Sequence, residues 1–199
     1  MKSATNILIA AVGGQGALLA SKILGACATA RGDDVKMSEI HGMAQRGGSV
    51  VTHVRFGQKV FSPTIEQGTA DVLLAFEMLE AARYATMLKA GGTVILNTQA
   101  IAPLPVLTNE MPYPADIIGR LQKMDLRVWH VDALDLARKA GHVKTVNTVL
   151  IGMYARMDGG SAEPWLKVLS ENLPERLFKV NQAAFMAGYE ISPPWTKQE

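Results

Sequence analysis

The sequence predicts an α/β fold: a three-layer, doubly wound domain whose mixed sheet includes one β-hairpin and whose C-terminal part is helical. A continuous apolar run over residues 6–12 is typical of a central strand covered on both faces. The turn Gly13-Gly14-Gln15-Gly16 follows it, and apolar residues at helical spacing come next. A strand, a glycine turn and a helix in this order open a Rossmann-like domain. The 199 residues, 48% of them hydrophobic, are expected to form one domain over 1–199.

The first part of the chain is predicted to contain the hairpin. The helix after the glycine turn is expected to end near Gly32, and residues 34–40 form the second strand. Residues 49–56 alternate apolar and polar side chains, as a half-buried strand does. A short apolar run at 59–61 follows two turn residues, so we expect 49–56 and 59–61 to pair as the hairpin. Such a pair is antiparallel, and the predicted sheet is therefore mixed.

From residue 70 the pattern predicts three more strands and several helices. The strands are expected at 70–76, 93–97 and 126–131. A helix at 78–89, closed by Gly91-Gly92, a proline-rich extended segment at 102–114 and a short helix at 116–123 lie between them. The remaining helices are predicted at 133–140, 145–157, 163–170 and 175–188.

Composition and charge argue against several classes of function. A net charge of +2 without a run of like charges does not indicate binding to nucleic acid or to a membrane surface. No apolar segment reaches the length of a membrane span, and residues 6–12 are too few for a signal sequence. We therefore expect a cytoplasmic protein with no nucleic-acid and no membrane partner.

Metal and cluster chemistry is not expected of this chain alone. Its single cysteine, Cys27, lies on the apolar face of the first predicted helix, whereas an iron–sulfur cluster normally needs about four thiolates. His41, His53, His130 and His142 lack the spacing of metal ligands. The sequence therefore predicts a buried Cys27 and no metal site.

The glycine turn is the first candidate binding site. A helix N-terminus suits a phosphate, and Glu39 near the end of the second strand lies where an acid could bind a ribose. The dinucleotide fingerprint is incomplete, because Ala11 stands at its first glycine position, and close packing of helix on strand is the alternative role. Asn147, within an apolar helical pattern, either contacts this turn or makes a core hydrogen bond. The cofactor-binding candidates are Gly13, Gly14, Gln15, Gly16, Glu39, Gly47, Gly48 and Asn147.

The polar segment 38–50 is the second candidate site. It places an acid, an imidazole, an amide, a guanidinium, a hydroxyl and three glycines in one short link between apolar runs, where a turn alone would suffice. The fork of donors on Arg46, beside Gly47-Gly48, suits a phosphate or a carboxylate; a pair with a neighbouring acidic side chain is the structural alternative. The catalytic candidates are His41, Gln45, Arg46 and Ser49.

These motifs resemble those of the gamma-type subunits and domains of 2-oxoacid:ferredoxin oxidoreductases, over almost the whole chain. The resemblance rests on the glycine turn, on residues 45–49 and 61–63, on Gly68 with 70–71, on 131–133, and on Asn147 ahead of Gly152. Residues 38–56, with a His-Gly-Met run at 41–43, are most similar to the beta subunits of the indolepyruvate branch.

The resemblance implies one subunit of an enzyme that oxidatively decarboxylates a 2-oxoacid, an arylpyruvate such as indolepyruvate, to an acyl-coenzyme A and reduces ferredoxin. It places thiamine diphosphate, Mg and iron–sulfur clusters on a large (alpha) partner subunit, with coenzyme A as co-substrate and no cofactor bound by this chain alone. Ferredoxin is then reached through the complex, and the isolated chain could form a homodimer.

The resemblance also gives the polar loop its expected roles. Arg46 would hold a carboxylate or phosphate of the substrate or of coenzyme A, Gln45 and Ser49 would supply neutral hydrogen bonds, and His41 would position the substrate or brace the loop. Two other functions stay open: a stand-alone Rossmann-type nucleotide-binding oxidoreductase, and a non-catalytic scaffold subunit that would tolerate the loss of Arg46.

Overall fold

The computed structural model describes residues 4–42 and 47–194. Its strands are β1 (Thr5–Val12), β2 (Asp34–His41), β3 (Ser49–Gly57), β4 (Ala70–Ala75), β5 (Leu88–Asn97) and β6 (Leu126–Val131). Its helices are α1 (Ala17–Ala30), α2 (Met78–Tyr84), α3 (Leu104–Leu107), α4 (Ile117–Gln122), α5 (Ala133–Ala140), α6 (Val146–Asp158), α7 (Glu163–Asn172) and α8 (Glu175–Tyr189). Single 3-10 turns occur at Ala85–Met87 and Val143–Thr145.

The strands form one six-stranded mixed sheet in the order β2-β3-β1-β4-β5-β6. β1 is parallel to β4, and the strands β4, β5 and β6 run parallel to one another. β3 is antiparallel to both of its neighbours, β1 and β2, and so separates them. The five parallel strands therefore end at one edge, which we call the carboxyl edge, and β3 begins there with Ser49 opposite Val12.

Apolar residues on both faces of the sheet bury residues 7–12 of β1. Ile7 and Ile9 pack with residues of α1, α5, α6, α7 and α8 on the first face. Leu8 and Ala10 pack with residues of α2 and α4 on the second face. Because α1 and α2 cover opposite faces, the chain changes face between β1 and β4, and open α/β sheets bind ligands at such a point beyond the carboxyl ends of the strands.

The predicted fold class is confirmed, including the mixed sheet, the helices on both faces and the helical C-terminal part. The hairpin exists, but its predicted position is wrong, because β3 pairs with β2 and not with residues 59–61. The backbone amides after β3 are hydrogen-bonded to side chains instead of to a strand. Asp34 accepts from the amide of Val60 at 2.9 Å, and Nδ1 of His53 accepts from the amide of Ile65 at 3.0 Å.

Two boundaries also differ from the prediction. The helix predicted over 78–89 ends at Tyr84, and Leu88 already pairs with Ala70 as the first residue of β5. Gly91 and Gly92 lie inside β5 and do not cap a helix; Gly91 has a φ of 68° and donates to the carbonyl of Asp125 at 2.9 Å. A glycine irregularity within a strand therefore resembled a helix end in the sequence.

Candidate functional site

The glycine turn and the residues Gly47-Gly48, near the end of the polar segment 38–50, are hydrogen-bonded to each other at the carboxyl edge. The amide of Gly13 donates to the carbonyl of Gly48 at 2.8 Å, and the amide of Gly47 donates to the carbonyl of Gly13 at 3.4 Å. These bonds continue the β1–β3 ladder beyond the paired residues Val12 and Ser49. The two glycine-rich candidate segments therefore form one structural unit.

Asn147 of α6 contacts this unit, as one of its two predicted roles required. Its Nδ2 donates to the carbonyl of Gly16 at 3.2 Å, and its Oδ1 accepts from the amide of Thr148 at 2.9 Å. Gly16 has a φ of 87°, and a Cβ at this position would lie 2.7 Å from Nδ2 of Asn147. The turn therefore needs glycine at this position, both for its backbone conformation and for the approach of α6.

Gln15 turns back into the fold and braces the ends of three strands. Its Oε1 accepts from the amide of Val12 at 2.8 Å, and its Nε2 donates to the carbonyl of Phe76 at 3.1 Å. Nε2 also lies 3.3 Å from Oε1 of Gln99, which follows β5. The side-chain amide of Gln15 therefore joins β1 to the ends of β4 and β5.

A cleft of about 390 Å³ opens on the first face of the carboxyl edge. It is lined by residues 12–18 together with Glu39, His41 and Val50. Glu39 and His41 are exposed, and Oε2 of Glu39 lies 3.4 Å from Oγ1 of Thr52. The N-terminus of α1 favours an anion, whereas the Glu39 carboxylate favours a hydroxyl or amine donor. The cleft thus suits a ligand that carries both kinds of group.

Ser49 faces away from this cleft, toward α2 on the second face. Its Oγ donates to Oε2 of Glu80 at 2.5 Å and lies 3.4 Å from the hydroxyl of Tyr84. Oε1 of Glu80 accepts from Arg83 at 2.8 Å. The hydroxyl that follows the polar loop is therefore engaged by a buried carboxylate behind the sheet.

Comparison with known proteins identifies the family of the chain. A family model described as pyruvate ferredoxin/flavodoxin oxidoreductase matches residues 6–191. The chain belongs to this family. Indolepyruvate oxidoreductase subunit IorB of Archaeoglobus fulgidus is 43% identical over 189 residues, which cover 92% of this chain and 93% of that protein. The subunit of the same name from Methanothermobacter thermautotrophicus is 41% identical over 188 residues, 92% of this chain and 95% of that protein.

A solved structure agrees with the fold of this pyruvate ferredoxin/flavodoxin oxidoreductase family member. Pyruvate oxidoreductase subunit PORC of Thermotoga maritima superposes with a TM-score of 0.73 at 21% identity, covering 95% of this chain and 97% of that chain. The resemblance found in the motifs is therefore confirmed at the level of the family, and the architecture is confirmed by an independent structure.

The structure brings most of the predicted site residues of this family member together. Gly13, Gly14, Gln15, Gly16, Gly47, Gly48 and Asn147 form the hydrogen-bonded unit or adjoin it, and Glu39 and His41 line the cleft beside it. Gln45 and Arg46 lie outside the described residues. Because β3 lies between β1 and β2, Glu39 stands two strand spacings from β1, about 10 Å, and not one.

Sequence reasoning missed three buried polar residues at the carboxyl edge. Glu77 and Glu80 are 1% and 3% exposed, and Asn97 is 0% exposed. Asn97 donates to the carbonyl of Phe76 at 2.9 Å and accepts from the amide of Ala133 at 3.1 Å, so it joins β4 to the start of α5. A polar residue directly at the end of an apolar strand was the available signal for Glu77 and Asn97. Glu80 had none, because a glutamate in a helix is ordinarily exposed.

Among the described residues, the side chains that could act as metal ligands do not gather into one set. Cys27 is buried, as predicted, and burial raises the pKa of its thiol to about 12, so it stays protonated. Within residues 4–42 and 47–194, no group of three or more His, Cys, Asp or Glu side chains could hold a metal ion. No helix in these ranges is long and apolar enough to cross a membrane.

Proposed function

We propose that the chain is the small, gamma-type subunit of an indolepyruvate:ferredoxin oxidoreductase. The complex would convert an arylpyruvate and coenzyme A into an acyl-coenzyme A and carbon dioxide, and the electron pair released would reduce ferredoxin. The observation that carries the proposal is the identity of 41–43% to two archaeal subunits named IorB, over more than nine-tenths of each chain. Identity at this level across more than nine-tenths of both chains supports a shared role more strongly than a shared fold does.

In this proposal the cofactors belong to a large partner subunit. Thiamine diphosphate with Mg would supply the decarboxylation chemistry there, and iron–sulfur clusters would carry the electrons to ferredoxin. The composition of this chain supports that division, because its single cysteine is buried and protonated. The active complex would be cytoplasmic, and this chain would be inactive alone.

The contribution of this chain would come from the carboxyl edge. Coenzyme A carries phosphates, hydroxyls and an amine, which are the kinds of group that the α1 N-terminus and Glu39 favour. His41 lines the same cleft and would position the ligand. Gln45 and Arg46, between His41 and Gly47, would supply an amide hydrogen bond and a bidentate contact to a carboxylate or phosphate.

Reconstitution with the large partner tests the proposal. The chain is co-purified with that partner, and ferredoxin reduction is measured with indolepyruvate, phenylpyruvate, pyruvate and 2-oxoglutarate, with and without coenzyme A. We expect reduction with the two arylpyruvates, dependence on coenzyme A, and none from either subunit alone. Preference for pyruvate would correct the substrate, and saturable nucleotide binding with turnover by the isolated chain would favour the stand-alone oxidoreductase instead.

A further inference from the structure

The first turn of α2 carries two glutamates that are almost completely buried, at 1% exposure for Glu77 and 3% for Glu80. Glu77 caps the helix by accepting from the amide of Glu80 at 2.9 Å. It also accepts from the amide of Ile101 at 2.9 Å and from the hydroxyl of Tyr113 at 2.5 Å. All these partners belong to α2 or to the segment that follows β5. Glu77 therefore holds the second face of the fold together.

Glu80 has a different partner, although it is the same residue type one turn along the same helix. One of its oxygens accepts from Ser49 at 2.5 Å, and the other accepts from Arg83 at 2.8 Å. Burying a carboxylate is costly unless hydrogen bonds compensate it, and an apolar residue would fill this space more cheaply. The carboxylate thus connects α2 to the first residue of β3.

That connection continues through the sheet to the cleft. Ser49 directly follows Gly48, whose carbonyl accepts from the amide of Gly13 at 2.8 Å. Gly13 begins the turn that lines the cleft on the opposite face. A short path of hydrogen bonds and one peptide link therefore runs from Glu80, through Ser49 and Gly48, to the cleft wall.

We infer that Glu80 is a positioning residue of the candidate site. It acts through Ser49 on Gly47 and Gly48, and through them on the glycine turn that begins at Gly13. The inference rests on the proposed function, because it concerns the site that would meet coenzyme A or the 2-oxoacid. It gives Ser49 a role behind the site and not in contact with the ligand. Loss of the link lets the cleft wall shift, so binding of the ligand weakens without any contact to it being removed.

The test uses the reconstituted complex and four variants: Ser49→Ala, Glu80→Ala, Glu80→Gln and the double variant Ser49→Ala with Glu80→Ala. The KM and kcat for indolepyruvate and for coenzyme A are measured separately, together with the melting temperature of each complex. We expect Ser49→Ala and Glu80→Ala to raise one KM by roughly three- to tenfold, and more than they lower kcat. Glu80→Gln retains an acceptor for Ser49, so its KM should stay within about twofold of the unmodified complex.

The double variant and a matched control distinguish positioning from general stability. Because Ser49 and Glu80 form one link, the double variant should raise KM no further than the larger single effect. Asp71→Ala removes a carboxylate at the opposite edge of the sheet, where Asp71 accepts from the amide of Asn6 at 2.8 Å, and should lower the melting temperature without changing either KM. If Glu80→Ala prevents assembly, Ser49→Ala decides the question, since it removes only one hydroxyl at a strand start.

The results separate this inference from the proposed function. An active unmodified complex whose KM values are insensitive to Ser49→Ala and Glu80→Ala overturns the positioning role and leaves the proposed function intact. An equal KM increase in Asp71→Ala overturns it as well, because the effect would then follow stability alone. An unmodified complex without activity toward any 2-oxoacid rejects the proposed function, and this inference with it.

Discussion

Gly16 offers a direct test of how closely the glycine turn approaches α6. Its φ is 87°, and a Cβ there would lie 2.7 Å from Nδ2 of Asn147, a side chain only 2% exposed. The same Nδ2 donates to the carbonyl of Gly16 at 3.2 Å. Gly14 is a matched control, since its φ is 102° and nothing lies within 4 Å of its Cβ position. Gly16→Ala and Gly14→Ala thus share the backbone strain but not the contact with Asn147.

The two costs can be estimated separately. Alanine in the left-handed region costs about 1–2 kcal/mol at either position. At Gly16 the new methyl group also displaces Asn147, which leaves a buried amide without its partner and adds about 1–3 kcal/mol. We therefore expect Gly14→Ala to lower the free energy of unfolding by about 1–2 kcal/mol, and Gly16→Ala by about 2–5 kcal/mol. In a domain of this size each 1 kcal/mol shifts the melting temperature by roughly 2–4 °C.

Urea denaturation followed by circular dichroism measures both variants on the purified chain. The double variant Gly16→Ala with Asn147→Ala provides a second check, because removing the amide makes room for the methyl group. We expect it to be more stable than the sum of the two single effects allows. Equal losses in Gly14→Ala and Gly16→Ala, together with strict additivity in the double variant, would refute the close contact between the turn and α6.

Four further predictions concern the isolated chain, Gly14, Arg46 and His53. The purified chain alone should be colourless in an absorption spectrum and inactive toward indolepyruvate, because its lone thiol, Cys27, is buried and protonated. Gly14→Val should destabilise the chain by about 2 kcal/mol or more in urea, since a β-branched side chain is strained at a φ of 102°. Arg46→Ala should leave the subunit folded, within about 1 kcal/mol, yet lower kcat/KM of the complex by about ten- to hundredfold, and Arg46→Lys should restore part of it. Burial lowers the pKa of His53, whose Nδ1 accepts from the amide of Ile65. The contribution of His53 to the free energy of unfolding should therefore be fully present above about pH 6.5 and be lost as the pH falls below that value.

Each of these predictions has a contrary outcome. A visible cluster absorbance from the isolated chain, or turnover without the partner, contradicts the first. An unchanged urea midpoint in Gly14→Val would mean that the turn adapts to a side chain. Unimpaired kinetics in an assembled Arg46→Ala complex would support the scaffold role. For the last, His53→Asn keeps an acceptor that does not titrate, and an equal loss of stability in acid would exclude His53 as the cause.

The fold was largely predictable because its pattern is local. The apolar run of β1, the glycine turn and the apolar spacing of α1 each report on neighbouring residues, and all three are confirmed. The strand partner of β3 was not predictable in this way. Residues 59–61 have the composition of a strand. However, the amides of Val60 and Ile65 donate to the side chains of Asp34 and His53, which lie far from them in the sequence.

The candidate site likewise contains some features that the sequence predicts and others that it does not. The glycines and Asn147 were recognisable because their residue types are unusual for their positions, and the contact of Asn147 with the turn is confirmed. The inward direction of Gln15 and the connection from Ser49 to Glu80 depend on strand order and on which face each side chain takes. A shift by one residue in a strand reverses that face, so such contacts need the register as well as the sequence.

Because β3 is antiparallel to β2, the segment that joins these two strands can vary in length. Because His41 and Val50 are paired, the polar loop leaves the carboxyl edge and returns to it within one strand spacing. Closing a loop costs only about 0.6 kcal/mol more for each doubling of its length. Insertions or deletions between His41 and Gly47 would therefore leave the pairing of β2 with β3 intact at little cost in stability. Relatives could therefore differ in the length of this segment, directly after the cleft-lining His41, with little penalty to the stability of the domain.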